Sequence, residues 1–426
     1  MNRVLTACLL LTLATGTSAA AVQTNHDGQD LLPRVRILTS PALAGRGAGS
    51  AGGHAAGDSV AAWLAGAGLR PAFGSSWFQE FPLHGEGWSG QTLAGRTGRN
   101  VAGILPGSGP LATRYVLVSA HYDHLGRSDG DSTGRPPAAD SYYPGANDNA
   151  SGVTVLVALA RGACRADDGA GPARRSVLFV SFDGEEVGLQ GSAYLAGHMP
   201  VPMDSLDAMI NMDTVGQMGQ GKLYVSGVGT TPAFTRLARA AAWEGLDVSL
   251  APGGWSGSDH MTFNRLHIPV LFLFGGPYPQ YNRPADRWDT LDPLALEKVA
   301  RYAADLLDRV RREPGPLPWV EVGKPADMAA AAEGNRNTWL GTMPDFTPGV
   351  EGYMIGGVFD GSPAATAGLA AGDVLVLFGG RKVTDLATFT RALRSFDPGV
   401  PVEITVLRGG RPLNFTVVLG DRADRR

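Results

Sequence analysis

A chain of 426 residues has room for two or three domains at about 150 residues each. With 44% apolar and 18% charged residues it is neither a disordered polymer nor a charge-rich coiled coil. Lys and Arg number 36 against 40 Asp and Glu, a net charge of −4, and no cationic run is long enough to follow a phosphate backbone, which argues against a nucleic-acid partner.

Met1-Asn2-Arg3 leads into the apolar stretch Val4 to Leu13 and then small residues up to Ala21. This pattern reads as a secretory signal peptide over residues 1–21, so the expected location is the periplasm or the medium. Neither that run nor any later one reaches the ~20 residues of a membrane span. Leu5-Thr6-Ala7-Cys8 resembles a lipoprotein cleavage box but precedes most of the apolar run. Without Cys8, Cys164 is the only cysteine, so stability rests on the core or on metal rather than on a disulfide.

Residues 22–99 contain one predicted helix, Gly57 to Ala67, ending at Gly66 and Gly68. Gly47-Ala48-Gly49-Ser50-Ala51-Gly52 has dinucleotide-binding spacing, but Ser40-Pro41 upstream is a poor strand end, and the motif counts only between a strand and a helix. From Asn100 onward short apolar runs predict strands at Val101 to Leu105, Tyr115 to Ser119, Val177 to Phe182, Ala208 to Met212, Leu223 to Val225 and Val270 to Phe274. Helices are predicted at Ser151 to Arg165, Pro232 to Trp243 and Pro293 to Arg312. Fully apolar strands alternating with amphipathic helices indicate an α/β domain with its sheet covered on both faces. Glu313-Pro314-Gly315-Pro316 stops the last helix. The expected division is a catalytic domain over 22–316, a linker over 317–336, and a small β-rich domain over 337–426 with strands at Tyr353 to Val358, Asp373 to Phe378, Val402 to Leu407 and Asn414 to Leu419 and a helix at Leu386 to Ser395.

The predicted strands end in residues that bind metal, at the edge where open α/β sheets place their ligands. Tyr115 to Ser119 leads to His121-Tyr122-Asp123-His124, and Val177 to Phe182 runs into Asp183-Gly184-Glu185-Glu186. Asn211-Met212-Asp213 ends a third, Gly145-Ala146-Asn147-Asp148-Asn149-Ala150-Ser151-Gly152 opens a helix, and Ser258-Asp259-His260 lies in a Gly-rich loop. Imidazoles and carboxylates in this number suit paired zinc ions, and no CxxC pair or HExxH helix offers another zinc arrangement.

These segments resemble the co-catalytic di-zinc aminopeptidase family of the bacterial leucyl aminopeptidase type, related to glutamate carboxypeptidase; the likeness covers residues 35–312, with five motifs in the family's order. The resemblance implies a zinc exopeptidase fold: a mixed, mostly parallel central sheet with helices on both faces. It also implies two Zn2+ per chain, one held by His121 and Asp213, the other by Glu186 and His260, with Asp148 bridging. Glu185 is then the general base, Asp123 hydrogen-bonds the second nitrogen of His121, and the Asp148–Asn149 peptide is cis. The family's protease-associated insert is absent, only Gly85 to Arg99 standing in its place. His124, His198 and His267 match no role and are read as structural. Asp259 either steadies His260 or caps a turn, and Trp255, Phe263, Tyr278 and Tyr281 are packing residues or pocket walls.

Thr338-Trp339-Leu340-Gly341, Gly361-Ser362-Pro363-Ala364 and Ala371-Gly372-Asp373 resemble a PDZ domain of the bacterial protease type. The resemblance implies that Trp339, Leu340, Gly341 and Thr342 form the loop that takes a chain end, with an extended peptide or protein segment added to the sheet edge. The expected function is removal of N-terminal residues from peptide substrates. The alternatives are a carboxypeptidase or dipeptidase on the same centre, a single-zinc glutaminyl cyclase, and a non-catalytic PDZ-bearing binding protein.

Overall fold

The structure, a computed structural model, describes residues 31–87, 92–127, 142–166, 172–255, 257–322, 338–344, 351–359, 361–384 and 386–421. The stretch expected to be a signal peptide and much of the expected linker lie outside the described residues. The first domain has strands β1 (Arg70–Pro71), β2 (Phe78–Pro82), β3 (Thr97–Leu105), β4 (Tyr115–His121), β5 (Ser176–Phe182), β6 (Leu206–Asp213), β7 (Lys222–Ser226), β8 (Asp247–Ala251) and β9 (Val270–Phe274). Its helices are α1 (Leu32–Leu38), α2 (Ala51–Ala67), α3 (Gly152–Ala166), α4 (Gln190–Gly197), α5 (Phe234–Ala241), α6 (His260–Arg265) and α7 (Pro293–Arg312). The strands form one mixed sheet in the order β1-β3-β5-β4-β6-β9-β7-β8, with β2 also paired to β3. Its centre, β5-β4-β6-β9, is parallel, and β3 and β7 flank it antiparallel.

The apolar runs follow from that burial. Successive strand side chains point to opposite faces, and both faces are covered. Val116, Val118, Phe179, Ile210 and Leu271 pack into the core that includes α2, α3, α5 and α7, whereas Leu117, Leu178, Phe182 and Met209 pack on the other side with Leu195 of α4 and Phe263 of α6. Helix α7 has Pro at its start, Asp292 accepting from the amide of Leu294 at 2.9 Å, and Arg309, Arg311 and Arg312 in its last turn, where the helix dipole favours cations.

Helix α2 begins six residues before the predicted start, because the Ser50 hydroxyl caps it by accepting from the amide of Gly53 at 3.0 Å. Its glycines serve close approach rather than a dinucleotide: a Cβ on Gly52 would lie 2.0 Å from the Leu43 carbonyl oxygen, and one on Gly57 2.9 Å from the Tyr122 hydroxyl. The sequence reading also missed β8 and α4. The first is a short edge strand of half-exposed residues, and the second is only eight residues long.

The second domain has strands β10 (Thr338–Trp339), β11 (Thr342–Pro344), β12 (Tyr353–Val358), β13 (Val374–Phe378), β14 (Arg381–Lys382), β15 (Pro401–Arg408), β16 (Arg411–Val418) and β17 (Gly420–Asp421), with helices α8 (Pro363–Ala367) and α9 (Leu386–Arg394). Antiparallel strands run in the order β11-β12-β13-β15-β16, so β11 is an edge. Ile355, Leu375, Phe378, Ile404 and Val406 form a core of its own, and Phe389 of α9 stacks on Tyr353 at 4.2 Å. The first domain meets it at Arg283, whose guanidinium lies 5.4 Å from the Phe359 ring centre. No described helix is long and apolar enough to cross a membrane.

Arg46, between α1 and α2, is fully buried. Its guanidinium donates to the carbonyls of Leu38 (2.7 Å), Tyr122 (2.8 Å), Pro144 (2.6 Å) and Gly145 (2.9 Å). It therefore ties α1 to the end of β4 and to the start of the loop that opens α3. Arg46→Met leaves four buried acceptors short of a donor and removes a buried charge. We expect a loss of about 3–5 kcal/mol, measurable by urea unfolding followed by tryptophan fluorescence.

Candidate metal centre

Three neighbouring parallel strands end at one place. β4 ends in His121, β5 runs into Asp183-Gly184-Glu185-Glu186, and β6 ends in Asp213. The 145–151 segment enters beside them: Gly145 takes the left-handed conformation (φ 61°), and Asp148 and Asn149 leave helical values before α3 begins. Its side chains tie it to the end of β6. Asn147 Oδ1 accepts from the Gly216 amide at 2.7 Å, Asn149 Nδ2 donates to the Met212 carbonyl at 3.0 Å, and Ser151 Oγ accepts from the Val215 amide at 3.0 Å. The Asp148–Asn149 peptide is cis.

Two clusters of ligand-type atoms result, each within 4.8 Å: His121 with Glu185 and Asp213, and His124 with Asp148 and Glu186. His121 Nε2 lies 3.4 Å from Asp213 Oδ1 and 3.4 Å from Asp148 Oδ1, and His124 Nδ1 lies 2.6 Å from Glu186 Oε1 and 4.0 Å from Asp148 Oδ1. Asp148 thus faces both clusters. In the first cluster His121 Nε2 and Asp213 Oδ1 are buried without a hydrogen-bond partner. Buried polar atoms seldom stay unsatisfied, and convergent imidazole and carboxylate atoms in this state fit a cation such as zinc.

His260 starts α6, stacks on Phe272 at 4.3 Å, and stands outside these two clusters. His124, read as structural, lies in the second cluster. It follows the β4 end by three residues, the one signal by which it could have been found, whereas β9, which carries Phe272, places that ring against His260. Asp123 lies against His121, whose Nδ1 is 3.2 Å from the Asp123 main-chain carbonyl and 3.6 Å from its carboxylate. The carboxylate also accepts from the amides of Glu185 (3.2 Å) and Glu186 (3.3 Å), so one residue touches three functional groups.

Burial dominates the electrostatics. It pushes the carboxyls of Glu185 and Glu186 well above their ordinary value and brings Asp183 and Asp259 to about 7. It lowers His124 to about 4 and His260 to about 3. At His121 burial is outweighed by Asp213, Glu185, Asp123 and Asp148, which raise it. At Asp148 burial is outweighed by His121, His124 and Arg46, which lower it.

The remaining residues separate. Asp259 makes no side-chain cap at α6. Phe263 packs on Phe182 at 6.5 Å, His198 stacks on Tyr194 at 4.1 Å and His267 on Trp319 at 4.2 Å, all as packing. Tyr281 is edge-on to Tyr278 at 5.8 Å. Burial and the carboxylates of Asp148, Glu186, Glu185 and Asp213 push its phenol up, so it remains protonated. In the second domain Leu340 is buried in the core, the Trp339 ring lies 6.2 Å from Phe359, and Gly341 has φ 86°. A Cβ on Gly341 would lie 2.2 Å from that of Ser362.

Residues 100–307 match peptidase family M28 and residues 333–419 match the PDZ domain. The first domain is a peptidase family M28 domain. The aminopeptidase YwaD of Bacillus subtilis is 27% identical over 239 residues, covering 53% of this chain and 48% of the relative. The chain spans about half the length of the curated relatives it matches. Among solved structures, BSAP, a zinc aminopeptidase from Bacillus subtilis, superposes with a TM-score of 0.54 at 17% identity, covering 67% of this chain and 96% of the other. The glutaminyl cyclase of Porphyromonas gingivalis gives 0.51 at 22%, covering 66% and 98%. At these identities both show the shared fold.

The clusters predict a contrast between two histidines. His124→Ala should lower zinc affinity by about 10-fold or more, read by competition with a chelating dye, whereas His260→Ala should leave it near the parent's. The reverse result would restore the ligand set implied by the family resemblance.

Proposed function

We propose that the chain is an exported zinc-dependent aminopeptidase that removes N-terminal residues from peptides. The observation that carries this reading is the pair of adjacent clusters at the strand ends of an M28 domain, with Asp148 of the second lying 3.4 Å from His121 of the first, together with the aminopeptidase names of its relatives. His121, Asp213 and Asp148 would hold one zinc, and Glu186, His124 and Asp148 the second. Bound zinc would supply Lewis acidity and a water of lowered pKa.

The protein's own groups do the rest. Glu185 receives a proton and returns it to the leaving amine. Its amide is held by Asp123, which aims its side chain apart from that of Glu186. Burial keeps Glu185 basic enough for this exchange. Tyr281 offers a neutral O–H on the same side.

In this proposal residues 22–316 form the catalytic unit and residues 337–426 a peptide-binding unit joined by the linker. Thr342 begins the edge strand β11, which leaves a row of backbone groups for an extended segment. Export rests on the composition of residues 1–21.

Digestion of a peptide library with mass readout tests the reading: trimming from the amino end is expected, and trimming from the carboxyl end would replace it with a carboxypeptidase. Glu185→Gln should retain two zinc ions and lower kcat on aminoacyl anilides by ~10²–10⁴. Loss of metal in this variant would make Glu185 a ligand rather than the base. Removing residues 330–426 should leave dipeptide hydrolysis largely intact while lowering kcat/KM on a peptide of about twenty residues, since a tethering site acts by local concentration. Parallel kinetics on the two substrates measure this.

A further inference from the structure

Between β9 and α7 the chain makes a long loop, and within it Asp286 is fully buried. It belongs to neither ligand cluster, yet it meets three consecutive amides of the metal-side loop. The Ala146 amide donates to the Asp286 main-chain carbonyl at 3.1 Å. The Asn147 amide donates to both carboxylate oxygens, at 2.9 and 3.1 Å, and the Asp148 amide to Oδ2 at 3.1 Å. The Tyr278 hydroxyl donates to Oδ2 at 3.0 Å, the third donor on the carboxylate. The amide of Asp286 in turn donates to the Arg283 carbonyl at 3.0 Å, closing a turn that aims the carboxylate inward.

We propose that Asp286 is a positioning residue for the metal centre: by capturing the amides of Asn147 and Asp148 it sets where the Asp148 carboxylate stands between the two clusters. The proposal rests on the metal-centre reading above. The other side of the loop is already tied to β6 through Asn147, Asn149 and Ser151, so Asp286 supplies the opposing restraint. Segment 146–149 departs from helical geometry at Asp148 and Asn149, and its amides therefore need an acceptor from elsewhere. An ionised carboxylate can accept all of them at once. Both its oxygens are occupied by donors, so it acts through the Asp148 backbone and not as a ligand. Proximity to the Asp148 carboxylate is electrostatically unfavourable, which makes simple charge balance a poor explanation for its presence.

The test uses the full chain and zinc alone. Asp286→Asn places an NH2 group against donors, and Tyr278→Phe removes one of the carboxylate's three donors while leaving the carboxylate in place. Competition with a chelating dye should show zinc affinity reduced about 10–100-fold in Asp286→Asn and less in Tyr278→Phe. The kcat on an aminoacyl anilide should fall in the same order while KM stays near the parent's, and excess zinc should restore part of it. Urea midpoints of the metal-free proteins separate this from a fold anchor. If both variants bind zinc with the parent's affinity and keep its kcat, whatever their midpoints, the proposal fails. If Asp286→Asn does not fold, Tyr278→Phe decides by the same affinity criterion. A parent that binds no zinc would instead defeat the metal-centre reading.

Discussion

The constraint on which this structure depends is the burial of many carboxylates in one small volume. Asp123, Asp148, Asp183, Asp213, Asp259 and Asp286 are all buried, with Glu185 and Glu186 beside them. Ionised groups of one sign repel strongly in a low-dielectric interior, and each loses hydration on entering it. The fold answers partly with amide donors, as at Asp123 and Asp286, partly with His121 and His124, and partly with the buried charge of Arg46, which faces Asp148, Asp286, Asp123 and Glu186. Burial also favours the neutral form of Glu185, Glu186, Asp183 and Asp259, and a cation held by the clusters would compensate further.

That compensation needs a rigid frame, which comes from the sheet. Parallel strands buried on both faces converge at their carboxyl ends, and the loop from 145 to 151 is secured to β6 by side chains rather than by a ladder. Asn147, Asn149 and Ser151 each satisfy backbone groups near Asp213. The polar character of this stretch is therefore structural as well as chemical, because only side chains with amide and hydroxyl groups can complete hydrogen bonds where regular backbone pairing stops.

The loop after β9 occupies a similar position between parts of the molecule. Asp286 reaches the metal-side loop, Tyr281 faces the carboxylates, and Arg283 lies over Phe359 beside the Trp339 ring of the second domain. Residues that orient the centre and a residue that touches the PDZ domain thus share one short segment.

Much of this was legible in the sequence. The uninterrupted apolar runs predicted β5 and β9 to the residue or nearly so, because burial on both faces leaves no polar alternation to read, and Pro293, Asp292 and the terminal arginines marked α7 to its ends. Acidic and imidazole residues at those strand ends pointed to the region of the centre without any coordinate. Edge elements such as β8 lacked a strong period, and the start of α2 depended on the Ser50 cap rather than on apolar spacing. The surroundings of His124 and His260 are visible only in the tertiary structure. Both follow an aspartate in sequence, but the end of β4 brings His124 Nδ1 to 2.6 Å from Glu186 while His260 stacks on Phe272 of β9. The same holds for Asp286, far from Asp148 along the chain. Residue type and order determined which chemistry was present, and strand register together with loop closure decided which atoms could meet, since only packing of distant segments brings those side chains into reach.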